Sequence, residues 1–186
     1  MSANQKLKSR AGFTLAETLV TVLILLMVSS VVAAGIPAAK NAYEKVVRSA
    51  NAEVLLSTSV SELRKNLVTA QNVTADENGV LTFYSGDGEI NKRIYPDPGN
   101  KGVLMVQEYI SFEPGGKEAT PRQLVTDAAS TRDLYVMYKS ASCDGQLVTI
   151  KGLSVYRKSQ ANTDEAPLTS IDTLYIRVIG NPETDS

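Results

Sequence analysis

The side chains able to do chemistry in this 186-residue chain are few, and the missing ones decide most. It has no histidine, which removes the Ser-His-Asp triad, the Cys-His dyad and every imidazole metal site. Its single cysteine, Cys143, can close no internal disulfide and build no cysteine-rich metal centre, so a small buried side chain is its expected role. Two runs, Asp76-Glu77-Asn78-Gly79 and Gly86-Asp87-Gly88-Glu89, gather several oxygens. Neither has the spacing of a helix-loop-helix calcium loop with its terminal glutamate, and Asp, Asn and Gly are ordinary turn formers. With no convergent acid-base pair, no enzyme activity, metal or cofactor is expected. Asn72-Val73-Thr74 fits a glycosylation sequon, a tripeptide frequent by chance.

One carboxylate is anomalous. Glu17 stands where a run without charge begins, Thr18 to Ala39; as a helix at about 1.5 Å per residue that run would be about 33 Å long, the thickness of a bilayer core. It is apolar around the whole circumference, which suits lipid better than one side of a soluble core. A carboxylate deep in a bilayer costs about 2.5–3.5 kcal/mol, so an acid beside a span points to a function and a partner, unless it sits hydrated at headgroup level. Position alone leaves both readings standing. Residues Met1 to Gly12 carry Lys6, Lys8 and Arg10 and no acid, which holds this leader in the cytoplasm and sends the C-terminal part outward.

Ala11-Gly12-Phe13-Thr14-Leu15-Ala16-Glu17, after a basic leader and before an apolar helix, resembles the processing motif of type IV prepilins and pseudopilins. The resemblance covers about Lys6 to Ala39 closely. It implies cleavage after Gly12 by a prepilin peptidase and N-methyltransferase, with methylation of the new N-terminal Phe13. It also implies that Glu17 attracts the α-amino group of a neighbouring subunit during assembly; in a low-dielectric helix bundle such a pair attracts far more strongly than in water. The partners it implies are other pilin or pseudopilin subunits, an inner assembly platform with its motor ATPase, and membrane lipid. Many members close a C-terminal loop with a disulfide, which the lone Cys143 does not allow. A rival reading, a secretory signal cut at Val32-Ala33-Ala34 before Gly35, conflicts with the short apolar core of such signals and with an acid at its start.

These residues must be positioned by the rest of the chain. Hydrophobic residues make up 43% and charged residues 21%, which fits a folded domain and excludes general disorder. Loss of the three leader cations takes the formal charge from -1 to -4, which disfavours a nucleic-acid-gripping shaft. Gly35 and Pro37 are expected to interrupt the helix, a weak point by resemblance. Beyond them Tyr43, Val46, Val47, Ala50, Val54, Val60, Leu63 and Leu67 recur at helical spacing, one face of a helix continuing to about Ala70.

After Asn78-Gly79 the texture becomes β-rich. Strands are expected over Val80 to Tyr84 and Glu89 to Tyr95 about Gly86-Asp87-Gly88, then a loop at residues 95–100 and a strand from Val103 to Phe112. Thr120-Pro121-Arg122-Gln123 carries a capping box that predicts a short helix to about Ala129. Leu134 to Ser142 and Gln146 to Arg157 should form a hairpin about Asp144-Gly145, with Thr173 to Ile179 as the last strand. Tyr135, Tyr138, Tyr156 and Tyr175 are expected in core or half-buried sheet packing. The expected fold class is α+β, pilin-like: a leader (residues 1–12), a membrane-spanning helix (13–39), its amphipathic continuation (40–72) and an extracytoplasmic antiparallel β domain (73–186). Three functions stay open: a type IV or competence pilus subunit, a type II secretion pseudopilin, and a membrane-tethered binding module that never polymerises.

Overall fold

A computed structural model of the chain describes residues 14–86, 88, 90–97, 99, 103–109, 119–125, 133–158 and 166–180. It combines one long N-terminal helix, apolar in its first part, with antiparallel β-sheets, an α+β protein. Helix α1 spans Leu15–Leu67, with Arg64 and Lys65 in the last turn, where cations oppose the helix dipole. The chain divides into two compact units between Val46 and Val47. In the first, every described residue is exposed.

In the second unit the helix buries Ala52, Leu55, Leu56, Ser59, Leu63 and Leu67, steps of three and four that keep one face inward. The expected stripe is thereby corrected. Val60, Leu63 and Leu67 do join the core, but Tyr43, Val46 and Val54 are 71%, 67% and 61% exposed. Ala52 and Ser59 are fully buried, and the Ser59 hydroxyl donates to the Leu55 carbonyl at 2.7 Å, so its burial leaves no orphan. The helix ends at Leu67, before the expected Ala70, and the chain enters a strand the sequence reading omitted, β1 (Gln71–Ala75). The domain boundary expected after residue 72 falls inside it. Asn72 takes a left-handed φ of 52°, which Asn tolerates, and the register shift there turns Val73 into the core.

Strands β1, β2 (Leu81–Tyr84), β3 (Asn91–Asp97), β4 (Val103–Tyr109) and β5 (Arg122–Gln123) form an antiparallel sheet in chain order. Two expectations fall here. Tyr95, Pro96 and Asp97 belong to β3 and not to a loop; β2 begins opposite Ile94, so no β2 residue pairs with Pro96 and no β2 carbonyl is deprived of a donor. Residues 122–123 pair with Val106 and Met105 as a strand, and Leu124 N–H donates to the Leu104 carbonyl at 2.8 Å. Tertiary pairing overrides the local helix signal; residues 126–129 of that expected helix and the end of the Val103 to Phe112 strand lie outside the described residues.

The second sheet holds β6 (Leu134–Met137), β7 (Ser140–Asp144), β8 (Leu147–Arg157) and β9 (Thr169–Arg177). β6 and β7 lie end to end along one side of β8 in a single register, and β9 pairs with the other side. The hairpin is the expected one with its loop one residue later, at Gly145-Gln146; Gly145 supplies a φ of 55° at the first loop position. The expected strand Leu134 to Ser142 is broken, for a reason found in β8. Gly152, at φ 66°, shifts the alternation of inward side chains, so Val148 and Ile150 are followed in the core by Leu153 and Val155. The neighbouring strands shift at the same rank, from Tyr138 to Ala141 and from Ile171 to Leu174. An unshifted β8 would send half its core residues to solvent.

β7 lies beside β1, and β6 beside β4. At the break between β6 and β7, Tyr138 is 2% exposed and its hydroxyl donates to the Gly79 carbonyl at 2.6 Å, with Ile94 O at 3.3 Å. Burial, and then the nearby Asp76, push that hydroxyl well above the ordinary tyrosine range, so it stays a donor. Tyr138→Phe is expected to cost about 1–3 kcal/mol by leaving buried carbonyls unpaired. Gly152→Ala should cost about 1–2 kcal/mol through the left-handed backbone, with the Lys139 stem, 2.8 Å from the added Cβ, having to move. Urea unfolding of the two variants against the parent chain measures both.

Candidate functional site

The residues expected to act lie at the start of α1. Thr14 precedes the first helical residue and Glu17 occupies the third helical position, where a carboxylate faces the positive end of the helix dipole. The two residues close a reciprocal capping box. Glu17 N–H donates to Thr14 Oγ1 at 3.3 Å, and Thr14 N–H donates to Glu17 Oε2 at 3.4 Å, meeting two of the donors that a helix start leaves unpaired. Thr14-Leu15-Ala16-Glu17 carries the Ser/Thr-x-x-Glu signature of this role, whereas the capping box expected at residues 120–123 gives way to strand at Arg122–Gln123. Gly12 and Phe13 lie outside the described residues.

From Leu19 to Val32 every large apolar side chain is more than half exposed. An all-round apolar surface of this kind needs lipid or other helices against it, and α1 is long and apolar enough to cross a membrane. Three hydroxyls here are spent on the helix's own backbone: Thr18 donates to Leu15 O at 2.8 Å, Thr21 to Glu17 O at 2.7 Å and Ser30 to Met27 O at 2.7 Å. That is what a solvent without hydrogen-bonding partners requires. Gly35 and Pro37, expected to interrupt the helix, are passed without a break. Pro37 still withholds one N–H from the ladder, and a Cβ at Gly35 would meet nothing within 4 Å, so close packing does not explain that glycine.

Other residues the sequence singled out are occupied structurally. Asp76 Oδ1 accepts from Asn78 N–H at 2.9 Å and Val80 N–H at 2.7 Å, closing its own turn. Among the described residues no group of three or more Cys, Asp or Glu side chains gathers as a metal site. Cys143 is half-buried on β7; burial, and then Asp144, push its thiol above the ordinary cysteine value. Tyr135 and Tyr138 are buried and Tyr135 stacks on Tyr156 at 5.7 Å, whereas Tyr175 is 61% exposed, contrary to its expected packing. It sits on the edge strand β9.

No family model, curated protein or solved structure matches the chain.

Glu17→Gln keeps an acceptor at the third helical position, while Glu17→Asp keeps the charge on a shorter arm. Thr14 amide exchange in micelles should stay within about twofold of the parent for Gln and accelerate about two- to fivefold for Ala, the loss of about 0.5–1 kcal/mol of capping. Cys143 alkylation should be slow at pH 8 and still accelerate above pH 9, because a raised thiol pKa keeps the thiolate fraction small.

Proposed function

We propose that the chain is a prepilin-like precursor of a filament subunit, cut after Gly12, N-methylated at Phe13 and assembled through its N-terminal helix. The observation that carries this reading is the conjunction at the start of α1: a carboxylate, Glu17, at the head of an apolar helix whose described residues up to Val46 are all exposed. Such a surface calls for bilayer before assembly and for other helices after it. Once lipid is exchanged for neighbouring helices, a carboxylate at the head of each helix and an ammonium at the head of the next can neutralise each other. That pairing sets an axial register. Pro37, with Gly35 close by, supplies the place where a helix already short of a hydrogen bond stretches as subunits pack.

The domain from Val47 onward supplies the outer surface, and a type II secretion pseudopilin would use the same helix in the same way. A major pilus subunit, a minor one and a pseudopilin share the processing step, so processing tests the class. A tethered binding module that never polymerises needs no cleavage at Gly12 and tolerates Glu17→Ala.

Intact mass and N-terminal sequencing of protein from the native membrane or shear fraction should find a chain that begins at N-methylated Phe13. A terminus at Met1, or one near Gly35, would sink the proposal. Glu17→Gln, which keeps the capping acceptor and removes the charge, should still be cleaved but should leave the shear fraction depleted by about tenfold or more. Undiminished assembly of that variant would limit Glu17 to capping.

A further inference from the structure

Strand β3 turns Ile94 into the core and Arg93 and Tyr95 to the opposite face. There the Arg93 guanidinium carbon lies 5.9 Å from the Tyr95 ring centroid and 6.0 Å from that of Tyr109. Arg93 Nη1 donates to Tyr109 Oη at 3.2 Å, Tyr109 Oη donates to Gln107 Oε1 at 2.7 Å, and Gln107 Nε2 donates to the Ala119 carbonyl at 3.3 Å. Tyr109 and Gln107 are buried, so this chain of bonds rests on a rigid base, while Arg93 itself is half-buried. Among the described residues no carboxylate lies within ion-pair distance of Arg93. Glu108 is shared by Lys92 at 3.5 Å and Arg122 at 3.6 Å. Those two cations and Glu108 lie on the Ile94 side of the sheet, so on its own face Arg93 has only Asp97, further along β3 beside Tyr95, as a described acidic neighbour.

We propose that Arg93, held between Tyr95 and Tyr109, receives a carboxylate presented by an acidic peptide segment of a partner protein. The guanidinium is fixed before binding, so little rotamer freedom is lost when a ligand arrives, and its remaining N–H groups form a planar fork that matches a carboxylate with two parallel bonds. The flanking rings add apolar contact, and arginine and tyrosine are the side chains that most often carry interface energy. A single fork with Asp97 on the same face suits one carboxylate in a peptide better than a phosphate chain, whose binding needs several cations in a row. This site is independent of the filament reading.

The test titrates the ¹⁵N-labelled full chain in micelles with a tetraglutamate peptide and follows the Arg93 Nε–Hε resonance. Tetraglutamine, acetate and inorganic phosphate are the control ligands. A saturable shift with tetraglutamate alone is expected. Affinity should fall about tenfold or more in Arg93→Gln and several-fold in Arg93→Lys, which keeps the charge and loses the fork. Arg122→Gln should stay within about twofold of the parent, since Arg122 is already paired. The proposal is overturned by the absence of a saturable shift, by equal affinity in Arg93→Gln, or by an equal response to acetate or phosphate, which would mark a free-anion site. Amide spectra of each variant show that the fold is kept.

Discussion

One helix carries two kinds of surface, and the rest of the structure follows from that constraint. Up to Val46 the side chains of α1 are exposed on every side and, from Leu19 to Val32, mostly apolar; from Ala52 the helix buries one face and presents polar residues elsewhere. Neither half could replace the other. An all-round apolar stretch leaves water whenever it can, while a one-faced stretch needs a folded domain to cover that face. The hydroxyls of Thr18, Thr21 and Ser30 turn back to their own carbonyls in the first stretch, and in the second the buried Ser59 does the same. Those four hydroxyls are thus supplied from within the helix.

The domain from Val47 onward meets its side of the constraint with two sheets sharing one core. Tyr138 ties them, because a buried hydroxyl must find an acceptor and the one it finds lies beyond its own sheet, at Gly79. The alternation shift at Gly152, matched in both neighbouring strands, lets an 11-residue strand keep facing the core along its length. A chain without a disulfide has no other staple, so complete burial of residues such as Leu63, Leu67, Ile150 and Leu153 carries its stability.

At the head of α1 the same carboxylate has two kinds of partner open to it. Within one chain Glu17 closes a capping box on Thr14. In the proposed filament a neighbour's ammonium would compete for it, and a charge-assisted contact in a dry bundle is the stronger of the two. A capping box whose bonds are 3.3 and 3.4 Å long is weak enough to be given up. It is also enough to hold the carboxylate back toward the helix start, away from the hydrocarbon.

Local chemistry was legible wherever it did not depend on distant partners. The apolar run and Glu17 mark the start of the N-terminal helix because length and all-round apolar composition are local properties of the chain. The Asp144-Gly145 signal locates the second hairpin to within one residue because a turn is built from its own residues. Tertiary structure decided what local rules rank equally. Arg122-Gln123 became a strand since the edge of β4 offered hydrogen bonds that no short helix could match. Tyr43 and Val54 lost the buried face to Ala52 and Leu55. Arg93 found its two rings only when β3 and β4 were in register, since residues 93 and 109 meet through strand pairing and not through the chain. The sequence by itself determined which stretch is long and apolar enough for lipid, where the chain turns and which residue types are missing; the fold alone decided which face is buried and, among the described residues, which cation lies apart from any carboxylate, because both depend on contacts between residues far apart in the chain.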